Sequence, residues 1–242
     1  TKKYLDRTQT SQRSVHPFIR IMSPSSLSIQ ERLESIRTEL PEDVTLVAVS
    51  KTKPNDCIEE ALEANQLDFG ENRVQELQEK ESTLPKNIRW HQIGHLQTNK
   101  VKAIVPFVHL IHAVDSAHLL KEIDRRAKNF GRTVDVLLQV HIAQEEVKYG
   151  WKAPDLQRYL EEEAVVSFEH VRIRGLMGMA TFTPDQQQIA QEFKQLRHLY
   201  DSLLAAHPDW NTLSMGMSGD WRIAVDEGST MIRVGSSIFG GR

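Results

Sequence analysis

Features that define several large classes of proteins are missing from this sequence. Its 242 residues include a single cysteine, Cys57, which excludes an internal disulfide framework and a CxxC redox or zinc motif. No apolar run approaches the roughly 18 residues that a membrane-spanning helix needs. No GxGxxG or Walker loop is present to cradle a nucleotide. We therefore expect a cytoplasmic protein, in a reducing compartment, without membrane attachment.

The net charge is small but unevenly distributed. The chain has 30 basic and 33 acidic side chains, yet residues 1–25 hold five basic residues against one acidic residue. The remainder is acidic and would repel a phosphate backbone, so we do not expect nucleic acid as a partner. Residues 1–25 are rich in Ser, Thr and Arg without an apolar period, which predicts a flexible N-terminal extension. A transit peptide, or a leader ahead of a start at Met22, has a similar composition.

Beyond this segment, β-rich windows alternate with helical windows. The eight predicted strands are Val44–Ser50, Leu67–Gly70, Arg89–Gly94, His109–Val114, Val134–Ile142, Val171–Met177, Thr212–Met215 and Met231–Gly235. The predicted helices include Asn55–Asn65, Asn72–Ser82, Ser116–Asn129, Pro154–Glu163 and Pro184–His207. This alternation predicts a parallel sheet with helices outside. Eight units predict an α/β fold, a single (β/α)8 TIM-type barrel domain over residues 26–242.

A further predicted helix, Ser26–Leu40, precedes the first strand. Almost nothing follows the last strand to serve as its helix, and a closed barrel brings the first and last units together. We therefore expect this N-terminal helix to close the barrel. In such barrels the functional groups gather at the carboxyl ends of the strands, and phosphate often binds after strands seven and eight.

Lys51 directly follows the first predicted strand. Period-two alternation places it on the same face as Val47 and Val49. If that face is the interior, desolvation disfavours the charged form of the amine and leaves a nucleophile that condenses with aldehydes. A rim lysine that pairs with a carboxylate or points to water has the same local sequence.

Glycine is concentrated near the other end of the chain, where six of the twelve glycines lie within residues 216–242. Ser218 and Gly219 follow the seventh strand, and Gly235 and Ser236 follow the eighth. Hydroxyl and backbone N–H donors in two adjacent loops indicate a phosphate site. Ordinary turn chemistry is the alternative explanation for each loop.

Arg233 lies two residues before Gly235, so its side chain is expected to point into the barrel. A guanidinium there needs an acceptor, either a carboxylate or a ligand such as an anion or a ring nitrogen. An aldehyde-capturing lysine, a phosphate cradle and an inward arginine together describe a site for pyridoxal 5′-phosphate. A Schiff-base sugar-phosphate aldolase needs the same lysine and phosphate site, and stays open.

The histidines do not form a metal-binding motif. His91 and His95 are four residues apart, but Gly94 intervenes and no HExxH pattern is present, so we expect no metal site. His109 and His112 are predicted to lie on opposite faces of their strand and to be structural.

Five longer segments carry a resemblance to a known family. They read LVAVSKTKP (46–54), FGENRVQE (69–76), WHQIGHLQTNK (90–100), IRGLMGM (173–179) and LSMGMSGDWRIAVDEGSTMIRVGSSIFG (213–240). Together they resemble the pyridoxal phosphate homeostasis protein family, whose barrels are similar to the N-terminal domain of alanine racemase. The resemblance runs from about residue 27 to Arg242.

The resemblance implies a fold-type III site for pyridoxal 5′-phosphate. Lys51 would carry the cofactor as a covalent Schiff base (an internal aldimine), Arg233 would face the pyridine nitrogen, and Asn72 would lie in the same cavity. The residues that would hold the phosphate are Ser218, Gly235 and Ser236, with Gly219 beside them. The sequence departs from the family at His95, His141 and Ser236, where relatives usually have proline, asparagine and threonine.

An arginine opposite the ring nitrogen favours a carrier over an enzyme. Pyridoxal chemistry works best when that nitrogen is protonated, and Arg233 is a donor that cannot take up the proton. Racemases with this arrangement use a tyrosine from an additional β domain as a second base, and we expect no such domain. Of the four tyrosines, only Tyr149, in a predicted strand–helix loop, is a candidate to reach the mouth. The resemblance likewise implies no established catalytic activity, and we predict no catalytic residues.

The expected function is therefore to hold pyridoxal phosphate in intracellular vitamin B6 and amino-acid homeostasis. The alternatives are a pyridoxal-dependent amino-acid racemase, the aldolase named above and a pure interaction module. Expected partners besides the cofactor are pyridoxal-dependent apo-enzymes or a regulatory protein. Because no long exposed apolar stripe stands out, we expect a monomer.

Overall fold

The computed structural model of the chain describes residues 27–145, 149–162 and 168–241. Eight parallel strands pair in chain order and form a closed barrel, which confirms the predicted (β/α)8 architecture. The strands are β1 (Thr45–Val49), β2 (Asp68–Glu71), β3 (Arg89–Gln92), β4 (Leu110–Val114), β5 (Val134–Gln139), β6 (Val171–Met177), β7 (Thr212–Met217) and β8 (Met231–Val234). The predicted extension, residues 1–25, lies outside the described residues.

Helices follow the strands and cover the barrel. They are α1 (Ile29–Glu39), α2 (Asn55–Glu63), α3 (Val74–Thr83), α4 (Val101–Ile104), α5 (Ala117–Asn129), α6 (Ala153–Glu161), α7 (Gln186–Leu204), α8 (Trp221–Asp226) and α9 (Ser236–Phe239). None of the helices in the described part of the chain is long and apolar enough to cross a membrane. The sequence also predicts a helical window over residues 220–227, which contains α8, but it does not predict α4 or α9, because four residues are too few to show a helical period.

The barrel is closed by pairing between β1 and β8, with Val47 opposite Arg233 and Thr45 opposite Met231. This register is important for the site, because it places the strand that precedes Lys51 beside the strand that carries Arg233. Val47 and Met231 belong to a small apolar cluster inside the barrel, whereas the larger core lies between strands and helices.

Helix α1 begins with a capping box, in which Ser28 and Glu31 satisfy each other's backbone N–H groups. Its Arg32 donates to the carbonyl of Ile238 in α9, and the N–H of Ile29 donates to Glu60 in α2. The helix therefore contacts both of these neighbours. Barrel closure itself comes from strand pairing, and the predicted closing role of the N-terminal helix stays a prediction.

An ion pair links β2 to β3 at the end of the barrel opposite the carboxyl ends of the strands. The carboxylate of Asp68 accepts hydrogen bonds from both Nε and Nη2 of Arg89 and from Nε2 of His91. Burial alone raises the pKa of such a carboxyl, but the hydrogen bonds from Arg89 and His91 hold the pKa of Asp68 far below its usual range.

This ion pair predicts a pH dependence of stability. A carboxyl whose pKa is depressed by folding stabilises the protein above its unfolded pKa, about 3.9, and that contribution is lost as the pH falls toward the folded pKa. We expect the urea midpoint of the wild type to fall steeply below about pH 4, and that of Asp68→Asn to change less. The control is Asp135→Asn, which removes a carboxylate near the start of β5 that pairs with Arg172. This variant should keep the wild-type dependence of the urea midpoint on pH. If Asp68→Asn keeps the wild-type slope, this account of Asp68 is wrong.

Candidate functional site

A cavity of about 730 Å³ opens at the carboxyl ends of the strands. The structure brings all seven sequence-predicted site residues to its lining, although they come from the ends of four strands. The seven are Lys51, Asn72, Ser218, Gly219, Arg233, Gly235 and Ser236.

Lys51 is half-buried and lies two residues beyond the end of β1, after the fully buried Ser50. The next residue, Thr52, has a φ of 64°, a left-handed conformation that is uncommon for a side chain other than glycine. The N–H of Thr52 donates to Oε1 of Glu76 at 2.5 Å. The chain thus turns sharply beyond Lys51, and a carboxylate of α3 holds the turn.

A second lysine, Lys80 of α3, stabilises this turn through hydrogen bonds. Its buried ammonium donates to the carbonyl of Ser50 at 2.8 Å and to carboxylate oxygens of Glu71 and Glu76 at 2.8 and 2.7 Å. The hydroxyl of Ser50 also donates to Glu71, at 2.6 Å. Burial raises the pKa of Glu71, and Lys80 and Ser50 oppose that shift. The sequence analysis missed Lys80 because its partners lie up to 30 residues away.

Removing Lys80 tests this support. Lys80→Met would leave the carboxylate of Glu71 buried without its cation, and breaking a buried pair in this way costs about 3 kcal/mol of unfolding free energy. The control is Lys86→Met, since Lys86 pairs with Glu81 but is 67% exposed, for which the expected cost is below about 1 kcal/mol. Urea unfolding followed by circular dichroism measures both. Equal costs for the two variants would contradict a supporting role for Lys80.

Arg233 is almost completely buried, with 3% of its surface exposed. Its guanidinium donates to Oγ of Ser214 at 2.5 Å and to the carbonyl of Gly178 at 3.0 Å. Burial lowers the pKa of Arg233 to about 10, and the charge of Asp220 opposes the shift. The group therefore stays charged at neutral pH, inside the cavity and within a network of hydrogen bonds.

The two loops after β7 and β8 contact each other. The N–H of Gly235 donates to Oγ of Ser218 at 3.0 Å. A Cβ atom at Gly235 would lie 3.1 Å from the carbonyl oxygen of Val49, whereas one at Gly219 would meet no atom within 4 Å. Asp220 stabilises the loop after β7, because its carboxylate accepts a hydrogen bond from the N–H of Met217 at 2.5 Å. Burial raises the pKa of Asp220, while the Met217 amide and Arg233 oppose the shift.

Asn72 lies directly after β2, not at the start of a helix as predicted, because α3 begins only at Val74. Its carbonyl accepts from Nε2 of Gln92 at 3.0 Å. Gly94 packs so closely on Asn72 that a Cβ atom would stand 2.5 Å from the same carbonyl oxygen. The glycine is required by this close approach of two strand ends.

Further polar and aromatic residues line the cavity, and the sequence analysis did not predict Gln139 and Asp220 among them. His95 and Tyr149 stack with ring centroids 3.7 Å apart, and Nδ1 of His95 lies 3.1 Å from Asp115. Tyr149, the one candidate among the tyrosines, is 58% exposed and lines the cavity. Of the two unusual histidines, His95 is a lining residue and His141 is not.

A possible metal site in the described part of the chain lies elsewhere, where ligand atoms of Asp68, His91 and His109 approach within 4.8 Å of one another. The carboxylate of Asp68 is already paired with Arg89, and both ring nitrogens of His91 already have hydrogen-bond partners. A cation would have to displace the guanidinium. The prediction that the protein holds no metal stays a prediction.

Fold and cavity together define a class of protein. It is a parallel (β/α)8 barrel with a lysine after its first strand, a buried arginine in its last strand, and serine–glycine loops after its seventh and eighth strands. The family described as alanine racemase, N-terminal domain, matches residues 26–242. A curated relative from Vibrio alginolyticus, named pyridoxal phosphate homeostasis protein, is 35% identical over 230 residues, covering 89% of this chain and 98% of the relative. A relative of the same name from Aquifex aeolicus is 37% identical over 202 residues, or 81% and 86% of the two chains. The chain belongs to the pyridoxal phosphate homeostasis protein family.

Solved structures agree with this assignment. PipY of Synechococcus elongatus PCC7942, solved without pyridoxal phosphate, superposes with a TM-score of 0.84 at 41% identity and covers 88% of this chain and 100% of its own. The form of PipY with pyridoxal phosphate bound gives 0.80 at the same identity and coverage. Alanine racemase of Clostridium difficile 630 has a TM-score of 0.70 at 16% identity, over 89% of this chain and 56% of the racemase. That likeness shows a shared fold alone.

Proposed function

We propose that this protein holds pyridoxal 5′-phosphate on Lys51 through a Schiff base and serves intracellular pyridoxal phosphate and amino-acid homeostasis. One observation carries the proposal: Lys51, Arg233 and the two serine–glycine loops line the same cavity. The names of the relatives, and the pyridoxal phosphate bound to PipY, support it.

The cavity residues fit the three polar parts of this cofactor. Lys51 offers an amine that can condense with the aldehyde of the cofactor. The sharp turn at Thr52 holds Lys51 at the end of the strand. Ser218 already accepts from Gly235, so its own hydroxyl proton can be donated to a phosphate oxygen. Ser236 and Ser237 are the first two residues of α9. Their backbone N–H groups have no acceptor within the helix and can donate to the phosphate.

Gly219 and Asn72 complete the proposed set. The absence of a side chain at Gly219 leaves open space over the first loop, which lets a phosphate approach the backbone. Asn72 reaches the cavity from the end of β2, where its amide can donate to, or accept from, a polar group of the ring. Gly235 must remain without a side chain because it packs on the carbonyl of Val49.

Arg233 decides which chemistry the site favours. When bound, the cofactor supplies an aldehyde and an electron-withdrawing ring. A guanidinium with a pKa of about 10 would donate a hydrogen bond to the ring nitrogen without delivering a proton to it, so the ring would withdraw electrons less strongly. Arg233 therefore favours retention and transfer of the cofactor over turnover of amino acids, and we propose no catalytic residue.

Tyr149 favours one second candidate, an amino-acid racemase, because its exposed ring lines the cavity. A phenol there could act as a base toward a substrate's α-proton. Exchange of that proton with deuterium in heavy water, lost in Tyr149→Phe, is the result that would favour this candidate. The relatives' names favour pyridoxal phosphate over a sugar phosphate as the aldehyde, and hence the carrier over an aldolase.

The wider role extends the same proposal. A carrier without turnover would deliver its cofactor to pyridoxal-dependent apo-enzymes or report its level to a regulatory protein. The monomeric state and the cytoplasmic location stay predictions.

The visible absorption spectrum of the loaded protein tests the proposal. We expect a yellow protein whose absorption band bleaches on borohydride treatment, because reduction removes the conjugated Schiff base. Lys51→Ala should lose the band. The matched control is Lys53→Ala, whose ammonium is at the same strand end but donates to the carbonyls of Phe239, Gly240 and Gly241; it should stay yellow. An unchanged band in Lys51→Ala would contradict the assignment.

A further inference from the structure

A row of buried polar side chains crosses the barrel interior from Arg233 to Asp68. Between them lie Ser214, His112 and His91, contributed by β7, β4 and β3. All five residues are buried, and the three in the middle have no exposed surface. We call this set the barrel histidine chain. Neither histidine lines the cavity, and the proposed function makes no use of them.

The chain is continuous in hydrogen-bond distance. Nη1 of Arg233 lies 2.5 Å from Oγ of Ser214, which lies 3.1 Å from Nδ1 of His112. Nε2 of His112 lies 2.9 Å from Nδ1 of His91, and Nε2 of His91 lies 3.0 Å from Oδ1 of Asp68. Each ring therefore uses both nitrogens within the chain.

The two ends of the chain and the number of protons on each ring determine which atom donates at each step. A carboxylate can only accept and a guanidinium can only donate, so Nε2 of His91 must carry a proton toward Asp68. Burial holds the pKa of His112 well below its usual value, which keeps that ring neutral. Where His91 also carries a single proton, Nδ1 of His91 accepts from Nε2 of His112, and Nδ1 of His112 accepts from the hydroxyl of Ser214.

The donors then all point from Arg233 toward Asp68. The negative ends of these dipoles face the guanidinium, and their positive ends face the carboxylate. Such an arrangement stabilises both buried charges without bringing them together. It also commits the proton of Ser214 to His112, which leaves only an oxygen lone pair for Arg233.

We propose that the barrel histidine chain is a positioning device that links Arg233 to a distant counter-charge, Asp68, and keeps the guanidinium aimed into the cavity as a charged donor. His91, His112 and Ser214 are the positioning residues. The assignment of the cofactor ring nitrogen as the group that Arg233 faces rests on the proposed function, whereas the direction of the chain does not.

A metal ion is the competing use of one end of this chain, through Asp68, His91 and His109. The observations favour the chain, because His91 has no ring nitrogen to spare and Arg89 supplies the positive charge beside the carboxylate. His109 contacts the ring of His91, with centroids 5.3 Å apart, but the chain of hydrogen bonds passes through His112.

The first test uses the protein without cofactor. In the ¹⁵N-labelled protein at neutral pH, long-range proton–nitrogen NMR spectra report which ring nitrogen of each histidine carries the proton. We expect His91 and His112 both to be neutral with the proton on Nε2. A proton on Nδ1 of either ring, or a doubly protonated ring, would overturn the proposed direction.

The second test breaks the chain next to Arg233. We expect Ser214→Ala to shift the side-chain ¹⁵N signals of Arg233 and to release bound pyridoxal phosphate about tenfold faster, as loss of one charge-assisted hydrogen bond predicts. His112→Phe, which removes the acceptor of the Ser214 hydroxyl, should shift both quantities in the same direction. The control is His109→Gln, which removes a ring beside His91 but no link of the chain, and should leave both quantities unchanged. Equal effects of His109→Gln and Ser214→Ala would contradict positioning through the chain.

The two proposals fail separately in these tests. If the wild type retains no pyridoxal phosphate but both rings carry their proton on Nε2, the proposed function is wrong and the chain stands. If the cofactor binds through Lys51 but either ring has its proton on Nδ1, the function stands and the chain is wrong.

Discussion

Keeping the charge of Arg233 inside a barrel is the constraint on which the rest of the site depends. A guanidinium with 3% of its surface exposed requires acceptors from the protein, since an isolated buried charge is very costly. Ser214 and Gly178 supply them, and the ring of His112 continues the hydrogen bonding away from the cavity. The barrel interior is consequently partly polar, with apolar residues such as Val47 and Met231 packed in a small separate cluster.

The second requirement is a lysine presented at the edge of the same cavity. The pairing of β1 with β8 places Val47 opposite Arg233, so the amine that follows β1 and the guanidinium of β8 share one side of the barrel. The left-handed Thr52 and the buried ammonium of Lys80 then hold the turn around Lys51. A lysine on a firmly held turn and a hydrogen-bonded guanidinium suit the retention of one ligand that we propose.

Much of this arrangement could be predicted from the sequence. Lys51, Arg233 and the two serine–glycine loops follow from strand period and from the rule that barrel function gathers at strand ends. The predictions failed where contacts join distant residues. Lys80 meets Ser50 across 30 positions, and His112 meets Ser214 across 102. The expected separation of His109 and His112 assumed that both belong to one strand, but His109 precedes β4 and strand alternation does not apply to it. Both rings in fact lie beside His91. Local periodicity contains no information on such pairings.

The claim at the centre of this account is that one particular amine holds the cofactor. Peptide mapping by mass spectrometry, after the loaded protein is reduced with borohydride, tests it most directly because the reduced adduct stays on the lysine that formed it. The account predicts the pyridoxyl group on the peptide that contains Lys51, at Lys51 itself. An adduct on Lys53 or Lys80 instead, or an unmodified protein after incubation with pyridoxal phosphate, would contradict it.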